Sequence, residues 1–499
     1  MDQILIQIFL EGSMKSYNGI EVTENFYEFF APYFLDIISH INDPREQDNY
    51  NLRYSLSSYL SVIILGLCQG ATSMRQIVLF SQDEAFRERA SFLFAGAKVA
   101  QSQNAFTNLV EQLDPHVFQE RYNMMLHELS HSGALAPFAV QGLRIGALDG
   151  IELHHHIYTD RQNVTACAYC LKRIHKKGTA QEREECFHRT AVLTLVGHPG
   201  SIFCEQEPLQ CIEDGSDKGS EKKAAKRLLH RIHENHLLDL MDVIVCDALY
   251  ADADFITTVQ SYGIIPIIRI KQENYNIMQE VNDLSQHVSF SREDYDYERK
   301  ISYRYRIFEH LTSWKIYKEQ LCIVEIHEQL HDGKTQQARW VFPQEYATQL
   351  LPVLVREVGH LRWQEEINEF KLANQHLHIK HMLHHEPNSI QIFLFLKLFV
   401  LTFFSLFVAQ HEQRLQKKTH FVKDLRGIIQ RWFAYGLQTL QQYWRRWHSR
   451  CILFVLLFSA LYEHNEKKRT QVYVYIKVML FYLRLVLCFR TIVIGCNSS

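Results

Sequence analysis

The chain contains 499 residues, of which 47% are hydrophobic and 22% are charged. This composition is typical of a globular protein and excludes a disordered or low-complexity chain, and the length favours several domains. The formal net charge of -3 excludes a globally basic protein, so any contact with nucleic acid must come from local basic patches.

The first part of the chain, residues 1–135, is predicted to be mostly helical. Within residues 56–80 the apolar side chains recur at steps of three and four, which is the period of an amphipathic helix. Ser102 is suited to cap the start of another helix. That helix is a candidate recognition helix of a small DNA-binding module, and a plain helical bundle is the alternative.

After this region the pattern changes to alternating strands and helices. The first strand is expected to end at Asp149, and residues 191–209 are expected to form a hairpin. A basic amphipathic helix follows, and then the strand Val243–Cys246, a helix closed by Gly263 and a further strand. The order of three strands, helix, strand, helix and strand predicts an α/β fold.

Asp247 follows a run of buried apolar residues, where an unpaired carboxylate would be costly. It is either the N-cap of a helix or a metal ligand at the end of a strand. Asp252 and Asp254 are already available to cap the next helix, which favours the ligand. In a ribonuclease H-like sheet the first and fourth strands are neighbours, so Asp149 and Asp247 would meet at one edge. A carboxylate from a later helix, Glu365 or Glu366, would complete an oxygen site for Mg²⁺.

Three short segments carry a family resemblance. "ALDG", "VCDALYADADF" and "HLRWQEEINEFK" resemble the three signature regions of bacterial insertion-sequence transposases of the Asp-Asp-Glu (DDE) type, members of the retroviral-integrase superfamily. The spacing of that family places Arg362, Trp363 and Phe370 in register and selects Glu366. Glu365 points about 100° away from that helix face.

The resemblance implies a DNA transposase that cuts the ends of its element and joins them to target DNA. Asp149, Asp247 and Glu366 would hold two Mg²⁺ or Mn²⁺ ions, and a homodimer would bind the terminal inverted repeats. The DNA-contacting residues are then expected to be Arg362, Trp363, Lys371 and, through base stacking, Trp314; a packing role is the alternative for Trp314.

The implied architecture is a ribonuclease H-like catalytic core of class α/β, flanked by helical regions, with a β-rich insertion before the last catalytic helix. The expected regions are 1–135, helical and possibly DNA-binding; 136–271, the first part of the core; 272–345, the insertion; 346–410, the end of the core; and 411–499, a basic helical region with an apolar tail.

Two positions depart from the family pattern. Gly359 stands where the family has a tyrosine, and Ala373 stands where it has a lysine. Both family residues are associated with gripping the DNA backbone. The departures leave open a degenerate copy that binds DNA without cutting it, and a nuclease of the same fold is a further alternative.

Other features point elsewhere. Residues 390–410 are apolar enough to span a bilayer, which makes a membrane-associated protein the alternative of a different class, although a buried helix is expected in this position of the family. Eleven cysteines without regular spacing, and a start without a secretory pattern, favour a cytoplasmic protein without a membrane partner. Cys167 and Cys170 form only half of a zinc-site spacing and are expected not to hold zinc.

Overall fold

The computed structural model describes most of the chain up to residue 415. The described ranges are 19–45, 54–82, 102–158, 169–179, 182–198, 200–210, 220–271, 275–290, 292–297, 299–314, 317–364, 374 and 377–415. The expected basic helical region and apolar tail therefore lie outside the described residues, apart from the first few positions.

Helices make up the described part of the N-terminal region, as the sequence predicts. They are α1 (Gly19–Ser39), α2 (Leu56–Cys68), α3 (Met74–Gln82), α4 (Gln103–Gln112) and α5 (Pro115–His131). Ser102 is the N-cap of α4, although its side chain accepts no capping hydrogen bond. The apolar face of α4, formed by Phe106, Leu109 and Val110, is buried against the protein. This buried face is that of a packing helix.

One large mixed sheet forms the centre of the fold. Its strands are β1 (Ile145–Tyr158), β2 (Leu171–His175), β3 (Arg183–Gly197), β4 (Gly200–Pro208), β5 (Val243–Cys246), β6 (Ile265–Ile270), β7 (Arg292–Asp296), β8 (Ile301–Leu311), β9 (Leu321–Gln329) and β10 (Thr335–Pro343). The strand order is β2-β3-β1-β5-β6-β10-β9-β8-β7, and β4 also pairs with β3. β5 and β6 continue the sheet in parallel to β1, whereas β3 is antiparallel to β1 and β4 is antiparallel to β3. This α/β arrangement fits a ribonuclease H-like transposase domain.

The first strand is longer than the sequence predicts. Asp149 was expected at the end of a strand, but β1 continues to Tyr158, so Asp149 lies within it. The extension is paired along its length with the first half of β3, with a register shift between Leu153 and His155. The short strand β2, which was also not predicted, adds to the same end of β3. Pairing with β3 therefore forms strand from a polar segment for which the sequence leaves strand and loop as alternatives.

The predicted hairpin and the two predicted helices of the core are present. β3 and β4 form the hairpin, and α6 (Ser220–Glu234) and α7 (Ala253–Ser261) flank β5. Gly263 follows α7 with a φ of 77°, a left-handed conformation that glycine adopts without strain. The strand predicted after it is β6. The sequence therefore predicts the order of these elements correctly.

The β-rich insertion joins the core sheet. It contains the helix α8 (Asn276–Leu284) and the strands β7 to β10, and β10 pairs antiparallel with β6. The next helix, α9 (Pro352–Gln364), packs on β5 through Val355, Val358 and Leu361. Its position brings the chain back to the face of the sheet that carries Ile145 and Val245.

The long apolar segment forms the helix α10 (Pro387–Leu415), which is a core helix of the described fold. It contacts α1, α2, α4 and α5 on the N-terminal side and β4 of the sheet. The helix is long and apolar enough to cross a membrane by length and composition alone, yet 89% of its most apolar window is buried inside the protein. A buried helix of a large domain meets the same criterion, and this one packs against protein.

Candidate active site

The two predicted aspartates occupy equivalent positions on neighbouring strands. Leu148 of β1 is paired in parallel with Cys246 of β5, and Asp149 and Asp247 are the next residues of those strands. Neighbouring strands lie about 4.8 Å apart, and residues in register point to the same face. That face is the one covered by α9, because Ala147 and Val245 pack in the same cluster as Leu361. The fold thus brings the two carboxylates together from distant parts of the chain.

Asp149 is a buried carboxylate held by two donors. The backbone N–H of Gly150 donates to its Oδ1 at 2.8 Å, and Nη1 of Arg362 lies 3.4 Å from its Oδ2. Burial raises the pKa of Asp149 to about 6, and the charges of Asp247 and Glu221 act in the same direction; the Gly150 hydrogen bond and Arg362 oppose them. Burial is therefore the main cause of the raised pKa of Asp149, and Arg362 offsets part of it.

Asp247 has the N-cap role that the sequence left as one of two alternatives. It is the N-cap of a short 3-10 turn, Ala248–Tyr250, and its Oδ1 accepts from the N–H of Leu249 at 2.7 Å. Asp252 caps the following helix α7, as expected. The capping bond fixes the orientation of the Asp247 carboxyl group through one oxygen only, and the strand register places that group beside Asp149.

Arg362 lies in this acid site, in the last turn of α9. Its side chain is only 4% exposed, against 22% for Asp149. The structure thus places this predicted DNA-contacting residue against Asp149. It also restricts the conformation of Asp149.

The other predicted site residues are not gathered here by the described part of the chain. Glu366 and Lys371 lie outside the described residues, as does Glu365, and the side chain of Trp363 is not described. Trp314 follows β8 in the insertion, and its ring stacks on Tyr275 with the centroids 5.7 Å apart. This contact is the packing role that was the alternative for Trp314.

A third buried acid, which the sequence analysis missed, lies next to the pair. Glu221 is in the first turn of α6, and its carboxylate accepts from the Tyr250 hydroxyl at 3.1 Å and from Nη1 of Arg189 at 3.1 Å. A Cβ atom at Gly150 would lie 2.7 Å from the carboxyl carbon of Glu221. Gly150 faces away from Asp149 by strand alternation, so Glu221 packs beneath the strand.

Only the glycine of "ALDG" gives a sequence signal for this packing. Burial raises the pKa of Glu221, Arg189 opposes this, and Asp247 adds to it. An acid in the first turn of a helix is ordinary, because it complements the helix dipole. Nothing in the sequence spacing connects Glu221 to Asp149, so only the folded chain reveals the contact.

The departure at Gly359 has a structural reason. A Cβ atom at this position would lie 2.4 Å from Cζ2 of Trp340, which is buried in β10. The indole ring of Trp340 fills the space that a side chain at position 359 would need. A tyrosine could not occupy position 359 without moving the Trp340 ring.

Two carboxylates lie side by side on a mixed sheet of this order, and a buried arginine lies between helix and sheet. Together these features define an α/β enzyme of the ribonuclease H-like class. Residues 153–403, half of the chain, match the family described as "Transposase DDE domain". The chain belongs to this family and is a transposase. The match includes Asp247 and Glu366 and begins four residues after Asp149. A search of curated proteins found no match.

Membership sets the general chemistry. Transposases act on DNA, so DNA is a binding partner of this chain, and members of the family generally use divalent metal ions. The bounds of the match include the insertion strands β7 to β10 and most of α10. The N-terminal helices lie outside it.

Proposed function

We propose that this transposase cuts DNA at the ends of its element and then joins the freed 3′-hydroxyl groups to target DNA. Asp149, Asp247 and Glu366 are the proposed catalytic residues. The observation that carries the proposal is the parallel register of β1 and β5, which sets Asp149 beside Asp247 under the buried guanidinium group of Arg362.

The described carboxylates suit hard divalent cations. Both offer oxygen ligands. Burial, and to a smaller extent the charge of Asp247, raises the pKa of Asp149, and Arg362 is the only described cation at hydrogen-bonding distance from Asp149. Two Mg²⁺ or Mn²⁺ ions held by Asp149, Asp247 and Glu366 would supply activation of water and charge stabilisation on the phosphate oxygens.

The protein's own groups prepare this site. The Gly150 N–H and the capping bond to Leu249 fix one oxygen each of Asp149 and Asp247, so their orientation is set before DNA arrives. Arg362 holds the second oxygen of Asp149 and offers a buried positive charge to a phosphate. Glu221, Arg189 and Tyr250 support the strand from its other face.

The DNA contacts proposed beyond the acid site are Trp363 and Lys371. For Trp314 the stacking contact with Tyr275 supports the packing alternative instead. A homodimer that binds the two terminal inverted repeats is part of the same proposal. The tyrosine of the family has no counterpart at Gly359, so backbone contacts must come from other residues of this chain.

The test compares Glu366→Gln with its neighbour Glu365→Gln. Glutamine is nearly isosteric with glutamate, so Glu366→Gln should remove a negative ligand without disturbing the fold. We expect Glu366→Gln to lose at least about 100-fold in cleavage, since charge stabilisation in such sites contributes about 10²–10³. DNA binding should stay nearly intact because it depends on contacts to phosphates. Nicking of DNA that carries the element's ends with Mg²⁺, and a gel-shift assay of the same DNA, give the two readouts.

The control and the contradicting results are specific. Glu365→Gln should cleave nearly as well as the unchanged protein. Lost cleavage in Glu365→Gln with full activity in Glu366→Gln would assign the role to Glu365 instead. Equal activity in both would exclude this segment from the site. Cleavage without any joined product in the unchanged protein would identify a nuclease, and DNA binding without cleavage would identify an inactive copy.

A further inference from the structure

A cluster of cysteine and histidine side chains lies outside the acid site. Cys170 immediately precedes β2, His188 is on β3, and His385 lies two residues before the start of α10. Leu171 is paired with Phe187, so Cys170 and His188 continue the antiparallel register of β2 and β3. His188 lies four residues along β3 from Val192, the residue paired with Asp149, which is a distance of about 13 Å.

The three ligand atoms are in mutual contact. Sγ of Cys170 lies 3.3 Å from Nε2 of His188 and 3.3 Å from Nε2 of His385, and the two Nε2 atoms are 3.1 Å apart. The two imidazole rings meet almost perpendicularly, at 84°, and so are not stacked. Cys170 and His188 are buried, whereas His385 is exposed. The cluster is thus reachable from solvent on one side.

Hydrogen bonds alone account poorly for this triangle. The Nε2 atom of a histidine carries either one proton or one lone pair, in the plane of the ring, so it forms one good hydrogen bond. Three such atoms in mutual contact cannot form three linear bonds. Around one tetrahedral zinc ion, ligand atoms at the usual bond lengths are about 3.3 Å apart for two nitrogens and about 3.6 Å for sulphur and nitrogen. The observed separations lie within about 0.3 Å of these values.

We propose that Cys170, His188 and His385 bind one Zn²⁺ ion. A thiolate with two imidazoles is a donor set for zinc and a poor one for Mg²⁺, which prefers oxygen. The site is therefore chemically distinct from the carboxylates at Asp149 and Asp247. It replaces the expectation, drawn from sequence spacing, that Cys170 holds no zinc.

The ion would connect parts of the chain that are far apart in sequence. His188 and His385 are separated by 197 residues, and Cys170 and His385 by 215. Zinc at this point ties the start of α10 to the β2–β3 pair at the end of the long strand β1. Its role is structural: it fixes the core helix against the sheet that carries the acid site.

The test measures zinc in the full-length protein. Protein purified in the presence of Zn²⁺ and dialysed against metal-free buffer should retain about one zinc per chain by mass spectrometry. Substitution of the ion by Co²⁺ should produce thiolate-to-cobalt charge-transfer absorption. His385→Ala, at the exposed position, should lose most of the zinc with an unchanged circular dichroism spectrum, and Cys170→Ser should lose both the zinc and the cobalt absorption.

Two matched controls keep the result specific. Cys204→Ser changes another buried thiol, on β4, and should keep the zinc. Asp149→Asn changes the acid site and should also keep it, which separates this proposal from the proposed catalytic function. Less than about 0.2 zinc per chain in the unchanged protein, or unaltered zinc in both His385→Ala and Cys170→Ser, would overturn the proposal.

Discussion

Burial of Asp149 disfavours the charged carboxylate that its proposed role as a metal ligand requires. Its side chain is largely buried beside two other acids, and its pKa is raised to about 6 from an ordinary value of 3.8. The folded protein therefore keeps the proton to higher pH than the unfolded chain does. The contribution of this group to stability is most favourable below about pH 4, falls as the pH rises to about 6, and stays unfavourable above that.

Asp149→Asn should therefore stabilise the protein at neutral pH in the absence of Mg²⁺. A shift of about two pKa units corresponds to at most about 3 kcal/mol, so we expect a gain of about 1–3 kcal/mol at pH 7.5 and a smaller gain at pH 5. Thermal unfolding at the two pH values measures it. The exposed Asp283→Asn serves as the control and should change little at either pH. A loss of stability at pH 7.5 would show that contacts of Asp149 outweigh its burial.

The acid site also shows what single residues in the sequence reveal. Asp149 and Asp247 could be singled out because each follows an apolar run, and both lie where a ribonuclease H-like order brings them together. Glu221 could not, because its contact with Gly150 depends on how α6 packs on the sheet. The same is true of Trp340, whose ring explains the glycine at position 359.

At the scale of elements, α10 holds the helical layer together. Phe399 of this helix is fully buried, and its ring lies 5.5 Å from Phe30 of α1, 5.6 Å from Tyr122 of α5 and 4.6 Å from Phe403. Tyr122 in turn donates to the carbonyl oxygen of Phe203 on β4 at 2.7 Å. These aromatic contacts connect the first helices of the chain, the core helix and the sheet.

Phe399→Ala should therefore be among the most damaging substitutions in the described fold. Truncation of a fully buried phenylalanine costs about 3–5 kcal/mol, because apolar contacts are lost and a cavity remains. Thermal unfolding and limited proteolysis give the readouts. Gln410→Ala, at an exposed position of the same helix, is the control and should change stability by less than about 0.5 kcal/mol. An unchanged melting temperature in Phe399→Ala would contradict the assignment of α10 as the core helix.

Element types were easier to predict than element extents. Helical and alternating periods correctly predict the N-terminal helices, the hairpin and the strands at Val243 and Ile265. The extension of β1 through a run of histidines, and the pairing of β10 with β6, depend on partners far away in the chain. Local hydrophobic patterns contain no information about those partners. The cluster of Cys170, His188 and His385 was missed for the same reason.

At the scale of the whole molecule, the near-neutral charge determines how DNA binding should respond to salt. With a net charge of -3, attraction to DNA must come from local cationic groups, for which we propose Arg362 and the basic stretch that follows α10 in sequence. Each phosphate contact releases a counterion, so the affinity should fall steeply with salt. In a cell lysate we expect the protein in the supernatant, or pelleted with nucleic acid and released by high salt.

Fractionation with salt, nuclease and detergent in separate arms tests this expectation. Release by nuclease or high salt agrees with a DNA-bound protein whose apolar helix α10 is buried inside the fold. Release that requires detergent, and is unaffected by salt or nuclease, would instead support the membrane-associated alternative.

The position of α10 in the chain affects how the protein is made. The helices α1 to α5 leave the ribosome early, but α1, α2, α4 and α5 pack against a helix that ends at Leu415. At translation rates of about 5–20 residues per second, roughly 15–60 s pass between synthesis of α5 and completion of α10. During that interval the apolar faces of the N-terminal helices lack their native partner. The nascent chain is therefore a natural substrate for chaperones, and synthesis must reach α10 before the helical layer can fold.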